Sequence, residues 1–266
     1  MSFRGLSAAL CLVLFAPLTS ARAERLTDEQ VKTLIEDIDR GFDTWKDDLE
    51  KRNLDDAKIT SPERTIDVKT FLKDFEKAID AVKDRFRPDY AASPEVMALL
   101  RLGSDVERHS RRPGETPSRA WSALGAKLGA LADAYDLSWP VESIRAQAAR
   151  LNDGELASRV EQMERSVKQL QGEAEKAAKA DKTVDKATRE GLKTSIQGLE
   201  RTAKDVRERV KDDRPAATEV GQLLSQTREV EGLITRLRLS PAGNSAWQGI
   251  ESGTELLARA YGVPRP

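Results

Sequence analysis

Few side chains in this 266-residue chain are equipped for chemistry. There is one imidazole, His109, and one thiol, Cys11. Asp105 stands one helical turn before His109, a spacing that sets a carboxylate beside an imidazole on one helix face. One imidazole cannot build a multi-His metal centre, and it makes a Ser-His-Asp triad a poor reading. A carboxylate-rich bundle metal site needs Glu-x-x-His pairs, and the chain contains none. One cysteine excludes an internal disulfide and a Cys-rich zinc or iron–sulfur site, and no CxxCH attaches a haem. No GxGxxG, P-loop, HExxH or GxSxG is present. The expectation is therefore a protein that is not an enzyme, with no catalytic, metal or cofactor-binding residues and no cofactor.

The carboxylates are numerous but alternate with bases. Glu161–Arg165, Glu164–Lys168, Glu175–Lys179, Asp185–Arg189, Glu200–Lys204 and Asp205–Arg209 are all acid-before-base at i, i+4. That spacing reads as a solvated helix face. Lys plus Arg (44) nearly balances Asp plus Glu (45), so no net charge points to nucleic acid.

The aromatic residues carry more information. Phe42, Phe71, Phe75 and Phe86 all fall in the first half of the chain. Phe71 lies off the apolar stripe that carries Leu72 and Phe75, so it faces another unit or a partner. His109 reads first as a partly buried packing side chain, and second as a pH-sensitive or ligand-contacting group. With Trp45, the residues Phe71, Phe75 and His109 are the candidate contacts for a ligand or partner. The partner is expected to be a protein or a small apolar ligand, not nucleic acid.

The elements that position these residues follow from an internal repeat. Residues 26–42 align with 151–167, 68–86 with 192–210, 95–107 with 219–231, and 120–137 with 246–263. Four matches in one order at nearly one offset indicate a tandem duplication. His109 then corresponds to Leu233, and Phe71 to Ser195. Each segment spaces its apolar residues by alternating threes and fours: Val31, Ile35, Ile38, Phe42, Trp45 and Leu49, or Val68, Leu72, Phe75, Ile79, Val82 and Phe86. The spacing averages 3.5 residues and predicts amphipathic helices with narrow apolar seams, as in bundles. No stretch alternates with period two, so no sheet is expected. Trp121, Tyr135, Trp247 and Tyr261 occupy matched seam positions and read as core, with their polar tips reaching partners.

Capping signals mark the helix ends. Thr27 with Gln30 and Asn152 with Glu155 have capping-box spacing. Ser61-Pro62, Ser93-Pro94 and Thr116-Pro117 read as caps before a first-turn proline. The fold expected is all-α, two packed antiparallel four-helix bundles over residues 24–137 and 152–266, joined by a linker at 138–151. Ile144 and Leu151, seven apart, suggest a short helix in that linker. The stretch 168–190 is polar and rich in Ala and Lys, which predicts a protruding helical hairpin or a frayed loop, and alternatively a contact arm.

The first 23 residues have the form of a cleaved signal peptide. Arg4 precedes an uncharged run from Leu6 to Leu18, and Ala21-Arg22-Ala23 offers a small-x-small cleavage site. The run is shorter than the roughly 20 residues a spanning helix needs, so no stable membrane anchor is expected. Cleavage removes Cys11 and leaves a mature chain without cysteine. The expected location is periplasmic or secreted. The expected role is binding or scaffolding in the cell envelope, with carriage of a small apolar ligand in the Phe-rich first repeat as the alternative.

Overall fold

The structure, a computed structural model, describes residues 25–60, 65–110, 117–143, 145–212 and 214–264. The expected signal peptide and the Ser61-Pro62 cap lie outside these residues, as do Thr116 and Ile144. The described chain is all-α, with eight helices: α1 (Asp28–Lys51), α2 (Val68–Arg85), α3 (Ser93–Ser110), α4 (Arg119–Ala134), α5 (Asp153–Ala180), α6 (Lys186–Lys211), α7 (Ala217–Ile234) and α8 (Pro241–Ala260). One small ribbon, β1 (Lys58–Thr60) with β2 (Thr65–Asp67), pairs antiparallel between α1 and α2. It corrects the expectation of no sheet. Each strand is three residues long, too short for a period-two pattern to stand out.

The apolar seams explain the helices. Val31, Ile35, Ile38, Phe42 and Trp45 are buried on α1, and Val68, Leu72, Phe75, Ile79 and Val82 on α2. Leu156, Val160, Met163, Val167 and Leu170 are buried on α5, and Leu192, Ile196, Leu199, Val206 and Val210 on α6. The buried apolar side chains form two clusters, one drawn from residues 31–141 and one from 156–261. Accordingly α1 packs on α2 and α4, and α3 on α2 and α4, while α5 packs on α6 and α8, and α7 on α6 and α8.

Both capping boxes form. The Gln30 amide donates to Thr27 Oγ1 at 3.2 Å and the Thr27 amide to Gln30 Oε1 at 2.8 Å. The Asn152–Glu155 pair does the same at 2.7 and 3.3 Å. The cap of α4 is Ser118, not Thr116: the Trp121 amide donates to Ser118 Oγ at 3.1 Å, and the helix starts at Arg119. The cap of α2 is Asp67, whose Oδ1 accepts from the Thr70 amide at 2.9 Å.

No helix occurs among the described residues of 137–151. Pro140 cannot donate to a helical ladder, and neighbouring groups take the polar backbone. The Val141 amide donates to the buried Ser104 Oγ at 2.8 Å, and the Ala149 amide to the Tyr135 carbonyl at 3.1 Å. Trp139 lies across Gly103 and Gly129. A Cβ at Gly103 would stand 2.8 Å from the Trp139 ring and 2.8 Å from Leu128, so only glycine admits the indole there.

The two helix groups meet in a reciprocal exchange. Arg25 pairs with Asp153, and Arg150 pairs with Asp28 at 2.7 Å. The Asp28 amide donates to Asp153 Oδ2 at 2.6 Å, and the Asp153 amide to Asp28 Oδ2 at 2.8 Å. Arg25 also donates to the Leu151 carbonyl and Arg150 to the Leu26 carbonyl, each at 2.8 Å. Each Arg-Leu-x-Asp segment thus grips the other in the same way.

The charges on the helices pair differently from the i, i+4 expectation. Arg207 reaches Glu164 at 2.9 Å, Lys211 reaches Glu161 at 3.2 Å, Lys168 reaches Glu200 at 3.8 Å and Arg209 reaches Glu219 at 2.8 Å. All of these run between helices. Glu164 is buried, not solvated, and burial raises its carboxyl above the ordinary range against the opposing charge of Arg207.

Candidate binding pocket

An apolar pocket of about 120 Å³ opens at the end of α1. Trp45 and Leu49 of α1 form one wall, Val68 and Phe71 of α2 a second, and Val106 with His109 of α3 a third. Leu54 and Ala57, from the turn after α1, complete it. That turn is held in place by its backbone. The Leu54 amide donates to the Leu49 carbonyl at 2.9 Å, and the Val68 amide to the Ala57 carbonyl at 3.0 Å. Asp105 and His109 supply the polar part of the lining, and Asp105 is also paired with Arg108.

A packed aromatic layer stabilises the inner wall. Phe42 and Phe75 stack at 5.1 Å with an interplanar angle of 3°. Trp45 stands 6.2 Å from Phe75 and 4.9 Å from Trp121, and Phe71 stands 5.9 Å from Phe75. The Trp121 indole N–H donates to Glu107 Oε2 at 2.9 Å. Offset and edge contacts of this kind fix ring positions beyond simple burial.

Three of the four residues singled out from the sequence therefore meet in one place. Trp45, Phe71 and His109 line the pocket, and Phe75, fully buried, supports Trp45 and Phe71 from beneath. Phe71 is half-buried on its own helix group, so its departure from the α2 seam is what turns it to the pocket. Sequence reasoning missed Leu49, Leu54, Ala57, Val68 and Val106 as lining residues.

The α5–α6 hairpin is built otherwise. Its helices run to Ala180 and from Lys186, so the stretch 168–190 is a helical hairpin with Ala174 and Ala178 buried. A larger groove of about 400 Å³ lies there, lined by Leu192 and Ile196 together with the charged Lys179, Arg189 and Lys193. At the positions matching Leu49 and Phe71 stand Ala174 and Ser195, and Ser195 Oγ donates to Glu229 at 2.6 Å.

Among the described residues no cluster of three His, Asp or Glu side chains is placed to hold a metal ion. None of the described helices is long and apolar enough to cross a membrane. Comparison with known protein families, with curated proteins and with solved structures finds no match.

Proposed function

We propose that this chain is an exported, non-enzymatic helical-bundle protein that acts in the cell envelope by binding a partner protein, with the pocket of Trp45, Phe71 and His109 as its anchor site. The observation that carries the reading is this apolar pocket of about 120 Å³. Its size favours an inserted side chain. Drug-sized ligands occupy roughly 300–1,000 Å³, and a cavity of about 150 Å³ just admits benzene. A branched side chain, or part of an aromatic ring, presented by a partner fits such an open hole and supplies a buried anchor of the kind that dominates many interfaces. The alternative, carriage of a free apolar ligand, is confined by the same volume to molecules smaller than one benzene ring.

We further propose that the two helix groups are copies of one four-helix unit. Beyond the aligned apolar seams, the ion pairs support this. Lys83–Asp39 matches Arg207–Glu164, Arg85–Glu95 matches Arg209–Glu219, and Arg25–Asp153 matches Arg150–Asp28, all at offsets of about 124 or 125 by residue number.

The test fills the pocket. Val106→Trp places an indole where the anchor side chain would go. Capture from the native envelope is run with wild type and with this variant, after circular dichroism shows both folded. The expected result is a protein retained by wild type and lost at least 10-fold from the variant. Equal retention by both overturns the assignment of the pocket. Turnover of an envelope substrate by the purified protein overturns the non-enzymatic reading. Recovery of the chain in the cytoplasmic fraction alone, at full length, overturns export.

A further inference from the structure

The groove on the α5–α6 hairpin has open charges that the pocket on α1 does not use. Helix α8 starts beside Glu173, whose carboxylate accepts from Ser240 Oγ at 2.6 Å, while α5 continues to Ala180. The tip of the hairpin therefore runs past the start of α8. A Cβ at Gly172 or Gly191 would meet nothing within 4 Å, so nothing stands over the helices at these two points. Lys179 of α5 and Lys186, Arg189 and Lys193 of α6 line the groove, against Glu175 and Glu190. None of the three ammonium groups has a hydrogen bond or an ion pair among the described residues. The Arg189 guanidinium reaches only the Asp185 carbonyl, at 3.3 Å. Asp181 and Asp185, the acids at the tip, are engaged by the backbone amides of Thr183 and Thr188. A groove between two helices receives a third helix, and open cations along it select an acidic one.

The chain itself carries such a helix. Glu36, Asp43 and Glu50 stand seven residues apart on α1, all exposed, with exposed Asp47 between the last two. A seven-residue step returns to the same helix face after about 10.5 Å. Lys186 and Lys193 are separated by the same step on α6, so the two pairs match in register. None of these four carboxylates is in an ion pair among the described residues. Lys32, Arg40 and Lys51 are exposed bases of the same helix, and Arg40 is already paired with Asp37. Within one chain α1 packs on α2 and α4, and no ion pair joins it to α6 among the described residues. The acidic face and the basic groove are thus both open to another molecule.

We propose that the α5–α6 groove receives the acidic face of α1 from a second copy of this chain, with Asp43 and Glu50 opposite Lys186 and Lys193. Each copy offers one groove and one acidic face, so two copies close on each other about a two-fold axis. The contact stands independently of the pocket of Trp45, Phe71 and His109. Attraction between exposed charges is screened by salt, so the pair forms at low ionic strength and separates at high.

The test is sedimentation equilibrium of the full mature chain. The expected result is the mass of two chains in about 20 mM salt and of one chain in about 500 mM salt. Lys186→Glu with Lys193→Glu, and separately Asp43→Lys with Glu50→Lys, are each expected to weaken self-association at least 10-fold. All four side chains are exposed, and circular dichroism checks that both variants fold. Mixing the two variants restores opposite charges at both contacts, and a mixed dimer within 3-fold of the wild-type affinity is expected. A chain that stays monomeric in about 20 mM salt at concentrations up to about 100 μM overturns the proposal. So does self-association that either variant leaves unchanged, or a mixture that stays monomeric. Retention of a monomeric chain by phosphatidylglycerol vesicles gives the groove to an anionic lipid surface and overturns the proposal as well.

Discussion

Replacing Asp28 by Ala removes two acceptor oxygens from the junction. One serves Arg150 at 2.7 Å and the other the Asp153 amide at 2.8 Å. Arg150, 2% exposed, then keeps only the Leu26 carbonyl, and its charge stays buried without a counter-charge. Deleting one partner of a buried pair costs about 3–5 kcal/mol. Asp28 is 16% exposed, which places the loss near the lower end of that range. It also sits in the first turn of α1, where a carboxylate is worth about 0.3–1 kcal/mol against the helix dipole. The expected cost is about 3–4 kcal/mol, read as a lower urea midpoint at neutral pH by far-ultraviolet circular dichroism. Asp153→Ala removes the matching acceptors of Arg25 and the Asp28 amide, so its cost is expected within about 1 kcal/mol of the first. Asp28→Ala combined with Arg150→Met removes the stranded charge as well, and should recover about half of the loss. A cost below about 1 kcal/mol for Asp28→Ala refutes the claim that this exchange is a desolvated ion pair.

Three other outcomes follow from particular contacts. Gly103→Ala forces a methyl group to 2.8 Å from Trp139 and Leu128 and is expected to cost about 1–3 kcal/mol. Gly191→Ala, with nothing within 4 Å, should instead stabilise α6 by about 0.5–1 kcal/mol; equal effects in chemical denaturation contradict the packing of the linker. Tyr135→Phe deletes the hydroxyl that donates to the Ala91 carbonyl in the core. It should cost about 1–3 kcal/mol in the same assay, since a buried acceptor is left open. Because the native Glu164 carboxyl is raised above 4.5 by burial, the folded state holds its proton more tightly than the unfolded chain. Its contribution is fully present below about pH 4.5 and is lost as the pH rises through the raised native value. Glu164→Gln should therefore gain on wild type between about pH 4 and pH 7 in paired urea midpoints, and a relative loss over that rise contradicts the burial of Glu164.

The helices were readable because one rule governs them. Apolar residues at 3.5-residue spacing must share a face, and Val31 through Trp45 are buried on α1 as that rule requires. What escaped depends on contacts between distant segments. Glu164 looked like the acid of a surface pair with Lys168, but it lies beside Met163 on α5 and answers Arg207 on α6. Asp39 likewise answers Lys83 across helices, a contact visible only once cross-helix neighbours are known. Arg25 and Arg150 stand one residue before the aligned segments, and nothing local distinguishes them from other surface arginines. The pocket was half readable. Trp45, Phe71 and His109 stood out by type or by leaving the seam. Leu54 and Ala57 did not, because a turn has no period to violate.

The exchange at residues 25–28 and 150–153 also sets an order of events in the life of the chain. A ribosome makes Arg25 and Asp28 long before it makes Arg150 and Asp153. Helices α1–α4 can assemble their own core during that interval, since the side chains of that cluster end at Val141 and the linker residues just beyond it. The ion-pair partners of Arg25 and Asp28, however, Asp153 and Arg150, arrive only with the start of α5. The second half of the chain thus closes the first, and a nascent chain halted before residue 150 keeps a charged, unlatched end.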